Sequence, residues 1–133
     1  MVYKVIAVDL DDVLISENDP FVVAFPSSTD CLKAMHKLLI PIVMVTHNTD
    51  PHRAIQKCGW QHYFNNVIND FDYTYKKTQL LQVCSTYQIQ PCELVFFDDY
   101  PENIQSAREL DATGVLVDRD TGITLNDIEI LYR

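Results

Sequence analysis

The sequence predicts an α/β fold, a Rossmann-like parallel sheet flanked by helices, and three short runs predict it. Val5-Ile6-Ala7-Val8, Ile42-Val43-Met44-Val45 and Leu94-Val95-Phe96-Phe97 are apolar and rich in β-branched or aromatic residues. Such continuous runs suit strands buried on both faces. Longer segments with helical periodicity separate them, and strand–helix alternation is the pattern of a parallel sheet covered on both sides.

Taken in order, the first strand is expected over about Tyr3 to Asp9. Residues 14–28 carry Pro20, Pro26 and three serines and read as irregular. Within them Phe21-Val22-Val23-Ala24-Phe25 suggests the strand of a small flap hairpin. Ser28-Thr29-Asp30 offers caps for a helix through about Leu39, with Leu32, Met35, Leu38 and Leu39 as its apolar stripe. The second strand covers Ile42 to Val45. Thr49 or Asp50 then caps a short helix with Pro51 in its first turn and Gly59 at its end. Val67-Ile68 predicts a short strand. A helix from Lys76 to about Tyr87 would turn Leu80, Leu81, Val83 and Cys84 inward. After the strand Leu94 to Phe97, Pro101 opens a helix to Leu110, with Glu102 favourable near its positive end. Val115-Leu116-Val117 is a further strand, and residues 124–132 a terminal helix.

Two of these strands end in carboxylates. Asp9, Asp11 and Asp12 follow the first, and Asp98-Asp99 follow Phe97. So many like charges beside buried strands need compensation, which a divalent cation with oxygen ligands supplies. If the chain stays extended, Asp9 and Asp11 share a side, because side chains alternate along a strand, and Asp12 points away as a turn residue. The second strand ends in Thr46-His47-Asn48, and Lys76-Lys77 lies between the second and last acidic strand ends. Parallel sheets bind ligands outside the carboxyl ends of their strands. Asp, Thr and Asp-Asp at three such ends, plus a lysine, make a site for a phosphate and a hard cation.

The order Asp-x-Asp-x-Val, strand ending in Thr, Lys, strand ending in Asp-Asp resembles the haloacid dehalogenase-like phosphohydrolases. The resemblance spans about positions 3 to 117. Its most specific parts are Asp9-Leu10-Asp11-Asp12-Val13-Leu14 and Phe97-Asp98-Asp99-Tyr100-Pro101-Glu102-Asn103-Ile104. Short length and the Phe-Phe-Asp-Asp run make the chain most similar to the small capless magnesium-dependent phosphatases. The pattern departs modestly, with Val13 where Thr is frequent and His47 after the motif Thr.

The resemblance implies an Mg²⁺-dependent phosphomonoester hydrolase acting through an aspartyl-phosphate. Asp9 would be the nucleophile and Asp11 the general acid/base. Asp9, the Asp11 carbonyl, Asp98 and Asp99 would hold the metal, with Asp99 favoured over Asp98 as the direct ligand. Thr46, with His47 and Asn48 at the rim, and Lys76 would bind the phosphate. Lys76 is preferred to Lys77 because it precedes Asp98 by 22 positions. The connections are too short for a cap domain, so an open site suits a phosphoprotein side chain or another bulky substrate. The alternatives are a noncatalytic metal- and phosphate-binding module, a phosphotransferase, and a small sugar-phosphate phosphatase.

Composition narrows the partners. At 133 residues and 47% hydrophobic, one domain with a flap at about 14–28 is expected. A formal charge of −9 argues against nucleic acid, which needs clustered Lys and Arg. Three glycines without a G-x-G-x-x-G or Walker pattern argue against dinucleotides and P-loop chemistry. Cys31, Cys58, Cys84 and Cys92 form no C-x-x-C pair and read as free thiols of a reducing compartment. With no signal-peptide pattern and no membrane-length apolar run, a cytoplasmic protein is expected. Tyr63, Phe64, Phe71, Tyr73 and Tyr75 read as packing residues ahead of the lysines rather than a substrate platform.

Overall fold

The computed structural model describes residues 2–16, 20–69 and 76–133. Among these residues five strands form one parallel sheet: β1 (Val5–Val8), β2 (Ile42–Val45), β3 (Asn66–Ile68), β4 (Leu94–Asp98) and β5 (Thr113–Leu116), in the order β3-β2-β1-β4-β5. The chain runs outward from the centre through β2 and β3, then returns to build β4 and β5 on the other side of β1. The reversal lies between β1 and β4, the place where open α/β sheets bind ligands. Pairing sets Val8 beside both Met44 and Phe97. The strand ends of β1, β2 and β4 therefore lie at one level.

Among the described residues, four α-helices connect the strands: α1 (Ser28–His36), α2 (Pro51–Cys58), α3 (Lys77–Tyr87) and α4 (Pro101–Glu109). Alternating strand residues feed two cores. Ile6, Val8, Met44 and Phe97 pack with Leu32 and Met35 of α1, Ala54 and Ile55 of α2, and the buried Trp60. Val5, Ala7, Val43, Val45 and Phe96 pack on the opposite face with Leu80 and Val83 of α3 and Ile104 and Ala107 of α4. Burying a side chain of this size contributes roughly 1.5–3 kcal/mol, so both faces hold the sheet. The Trp60 indole N–H reaches Thr29 Oγ1 at 3.1 Å, which satisfies its polar atom.

Several sequence expectations change in detail. Leu39 is exposed with a positive φ, because α1 stops at His36, and the apolar stripe is carried by Cys31, Leu32 and Met35 instead. Ser28 does not cap the helix. Its hydroxyl donates to the Leu14 carbonyl at 2.7 Å and fastens the flap base to α1. Leu81 is also exposed, since the buried face of α3 runs through Gln79, Leu80, Val83 and Cys84. Asp50, not Thr49, caps α2 by accepting from Arg53 N, and Gly59 ends it at φ 72°. β5 begins two residues earlier than expected, at Thr113. The terminal segment is a 3₁₀ helix, Asp127–Tyr132, which buries Ile128 and Leu131. Residues 14–16 and 23–25 pair as a small hairpin through Phe25 N to Leu14 O and the Ile15–Ala24 bridge. Phe71, Tyr73 and Tyr75 lie outside the described residues, whereas Tyr63 is in the core and Phe64 packs against it. Among the described residues there is no cap domain, and no helix is long and apolar enough to cross a membrane.

Candidate active site

Lys76 organises the carboxyl end of the sheet. Its ammonium is buried at the start of α3, 2.8 Å from Asp9 Oδ1 and 2.9 Å from Asp98 Oδ2. It also donates to the Val45 carbonyl at 2.9 Å. One cation thus ties together the ends of β1, β2 and β4. Burial alone would disfavour the charged amine, but Asp9 and Asp98 more than offset that and raise its pKa. Lys77 is half-exposed and lies 3.6 Å from Glu109. Adjacent residues on a helix project differently, and only Lys76 enters the site.

Asp98 is fully buried and heavily engaged. Oδ1 accepts from Tyr100 N at 2.8 Å; Oδ2 accepts from Lys76 Nζ and from Asn103 Nδ2 at 3.2 Å. A carboxylate has about four lone-pair sites, so three donors nearly saturate it. Asn103 also accepts from the backbone N–H of Lys76 at 3.1 Å, joining α4 to the start of α3.

Asp9 takes its described contacts on Oδ1, from Lys76 and from the Leu10 N–H at 2.7 Å. Burial pushes its pKa up to about 8; Lys76 opposes the rise and the Asp98 charge adds to it. Asp99 is half-buried, and burial with the neighbouring Asp98 charge pushes its pKa up to about 6. Its contact with Arg119 is loose, at 3.6 Å. Carboxylate oxygens of Asp9, Asp98 and Asp99 all lie within 4.8 Å of one another. Three hard oxygen donors held this close together fit a hard divalent cation.

Asp11 is held by Asn48 and is not one of the three clustered carboxylates. The extended geometry stops at Val8, so the alternation argument that aligned Asp11 with Asp9 does not apply. The chain instead turns, with Leu10 O accepting from Leu14 N and Ile15 N and with Asp12 at φ 60°. Asn48 Nδ2 donates to both Asp11 oxygens, at 3.1 and 3.2 Å. Burial raises the Asp11 pKa, and the Asn48 hydrogen bond opposes the rise. Thr46 is buried, its hydroxyl oxygen accepting from Asn48 N at 3.0 Å. That leaves the hydroxyl hydrogen to donate. His47 is exposed at the rim.

The structure therefore gathers Asp9, Lys76, Asp98 and Asp99 in one group, and Asp11, Thr46 and Asn48 in an adjoining one. The amide of Asn48, expected at the phosphate, is spent on Asp11. Two contributors escaped the residue-by-residue reading. Asn103 stood in a motif without a role. Arg119 follows β5, and applying the strand-end rule to that strand would have found it.

A family model of haloacid dehalogenase-like hydrolases matches residues 21–111. It takes in Thr46, Lys76 and Asp98, and begins after Asp9 and Asp11. No curated protein matches the sequence. Among solved structures, a hydrolase from Streptococcus pneumoniae TIGR4 superposes with a TM-score of 0.81 at 14% identity, covering 100% of both chains. A predicted phosphoglycolate phosphatase from Haemophilus somnus 129PT gives a TM-score of 0.74 at 12% identity, over 95% of this chain and 89% of that one. The N-terminal part of a Bacteroides fragilis protein, containing a phosphatase domain complexed with Mg, gives 0.75 at 18% identity, over 97% of this chain and 40% of that one. At such identities the likeness is one of fold.

Proposed function

This chain belongs to the haloacid dehalogenase-like hydrolases, and we propose that it is an Mg²⁺-dependent phosphomonoester hydrolase that works through an aspartyl-phosphate on Asp9. The observation that carries this reading is the buried Lys76 clamped between Asp9 and Asp98. A lysine in that place neutralises a carboxylate nucleophile and the phosphoryl group that approaches it.

In this reading, Lys76 and Leu10 N hold Asp9 by Oδ1, which presents Oδ2 to phosphorus. Oδ2 forms the new P–O bond as the ester P–O bond breaks in line. Asp11, oriented by Asn48 and shifted towards its protonated form by burial, gives its proton to the leaving oxygen. The same carboxylate then takes a proton from water, whose oxygen displaces Asp9 from the phosphoryl group and releases phosphate. Thr46 donates its hydroxyl to a phosphoryl oxygen. Asp9, the Asp11 carbonyl and Asp99 would hold the cation, with Asp98 spent on fixing Lys76 and the Tyr100 turn. Bound there, Mg²⁺ supplies charge stabilisation to a phosphoryl oxygen and relieves repulsion among the carboxylates. The Mg carried by the similar Bacteroides fragilis structure supports the choice of ion. The substrate is a phosphomonoester presented to an open cleft, as a phosphorylated protein side chain would be.

The test is hydrolysis of p-nitrophenyl phosphate with Mg²⁺ or EDTA, beside Asp9→Asn. Turnover that needs Mg²⁺ and vanishes in Asp9→Asn is expected. Turnover that survives in folded Asp9→Asn would overturn the covalent step.

A further inference from the structure

A groove of about 420 Å³ opens beside Asp99, lined by Pro101, Leu116, Val117, Asp118 and Arg119. Its cation is Arg119, 3.6 Å from Asp99 Oδ2 with its side chain 55% exposed. An ion pair that open and that long is weak. It is weaker still once Asp99 shares its charge with a metal, so the guanidinium is available to another anion.

The loop carrying Arg119 is anchored at both ends to the acid-bearing segments. Val117 N donates to the Asp98 carbonyl at 2.9 Å, and Ile123 N to the carbonyl of Val13, just beyond Asp11 and Asp12, at 2.8 Å. Between them Gly122 N and Thr121 N close on the Asp118 carbonyl. Gly122 has φ 70° and lies under the Phe25 ring so closely that a Cβ would overlap it. Asp118 is engaged too, its Oδ1 accepting from Asp120 N at 2.8 Å. The backbone on either side of Arg119 is thus anchored to the segments that carry the acids, as the support of a specificity contact requires. Leu116 and Pro101 add apolar lining to the same groove.

We propose that this groove receives the leaving portion of the substrate, and that Arg119 binds a second anionic group on it, a carboxylate placed beyond an apolar spacer from the phosphoryl group. This rests on the phosphomonoesterase reading. On a chain of net charge −9, a cation at the mouth of the cleft separates esters whose leaving portion is anionic from those whose leaving portion is neutral.

The experiment measures binding of 4-carboxyphenylphosphonate and phenylphosphonate to the full chain in Mg²⁺, by calorimetry, for wild type, Arg119→Gln and Arg119→Lys. The carboxylated ligand is expected to bind wild type about tenfold more tightly, the scale of a charge-assisted hydrogen bond discounted for exposure. Arg119→Gln brings that ratio to about one, and Arg119→Lys keeps part of it, as an ammonium lacks the planar fork. Equal affinities in wild type, binding of neither ligand, or a ratio that persists in Arg119→Gln would each overturn the proposal. Phenyl phosphate turnover by wild type separates the two readings. Wild type that shows the binding ratio but no turnover keeps the groove and loses the hydrolase assignment.

Discussion

Removing the Lys76 ammonium would leave Asp9 and Asp98 facing one another in a buried site. Breaking a buried ion pair on one side costs about 3–5 kcal/mol, because the remaining charge is uncompensated. Lys76→Met is therefore expected to lower stability by that order in urea unfolding at pH 7, with Mg²⁺ recovering part of it. Asn48 makes a different case. Its amide holds both Asp11 oxygens, so Asn48→Ala should reduce kcat by about ten- to hundredfold with KM little changed. A rise in KM at constant kcat would instead place Asn48 on the phosphate.

At the scale of elements, the loop from β5 to the terminal 3₁₀ segment is the most exacting. Gly122 needs a left-handed φ and has the Phe25 ring where a Cβ would go. Gly122→Ala combines backbone strain with overpacking and is expected to cost about 1–3 kcal/mol. Because Ile123 N holds Val13 O, the same substitution should also lower activity by shifting the Asp11 turn. Thermal unfolding and kcat measured together check both effects. Helix α2 is simpler: its Asp50 cap and Gly59 stop are local, and Asp50→Ala should cost about 1 kcal/mol with no change in activity.

For the whole molecule, the clustered acids tie stability to pH and metal. In the metal-free fold Asp99 titrates at about 6 and Asp9 at about 8, both raised from 3.8. The fold thus keeps protons that the unfolded chain loses above about pH 4. Their contribution to stability is complete below that pH and is lost as pH rises through about 6 and then about 8. The melting temperature of EDTA-treated protein should accordingly fall from about pH 4 to about pH 8 and the contribution of these two groups should level off above that. Mg²⁺ needs the ionised carboxylates, so its binding should release protons and its stabilisation should grow over the same range. A melting temperature in EDTA that rose steadily to pH 9 would contradict the raised values.

By itself the sequence determined the parallel α/β class, the order of its strands along the chain and the residue types of the cleft. Hydrophobic runs, prolines and helix stops are local signals, and they placed β2 and the start and stop of α2 closely. The acids and the threonine were legible because each directly follows an apolar strand. Only the tertiary structure decided which atoms meet. Lys76 reaches Asp9 and Asp98 because the chain reverses between β1 and β4, which no local pattern records. The segment after Asp11 closes a turn on the Leu10 carbonyl, and that turn is held by Ser28, Phe25 and Ile123 from distant segments. Leu39 and Leu81 look like core residues by type, yet face solvent because helix length and rotation are set by packing. The partners of a side chain depend on contacts far apart in sequence, and those exist only once both faces of the sheet are covered.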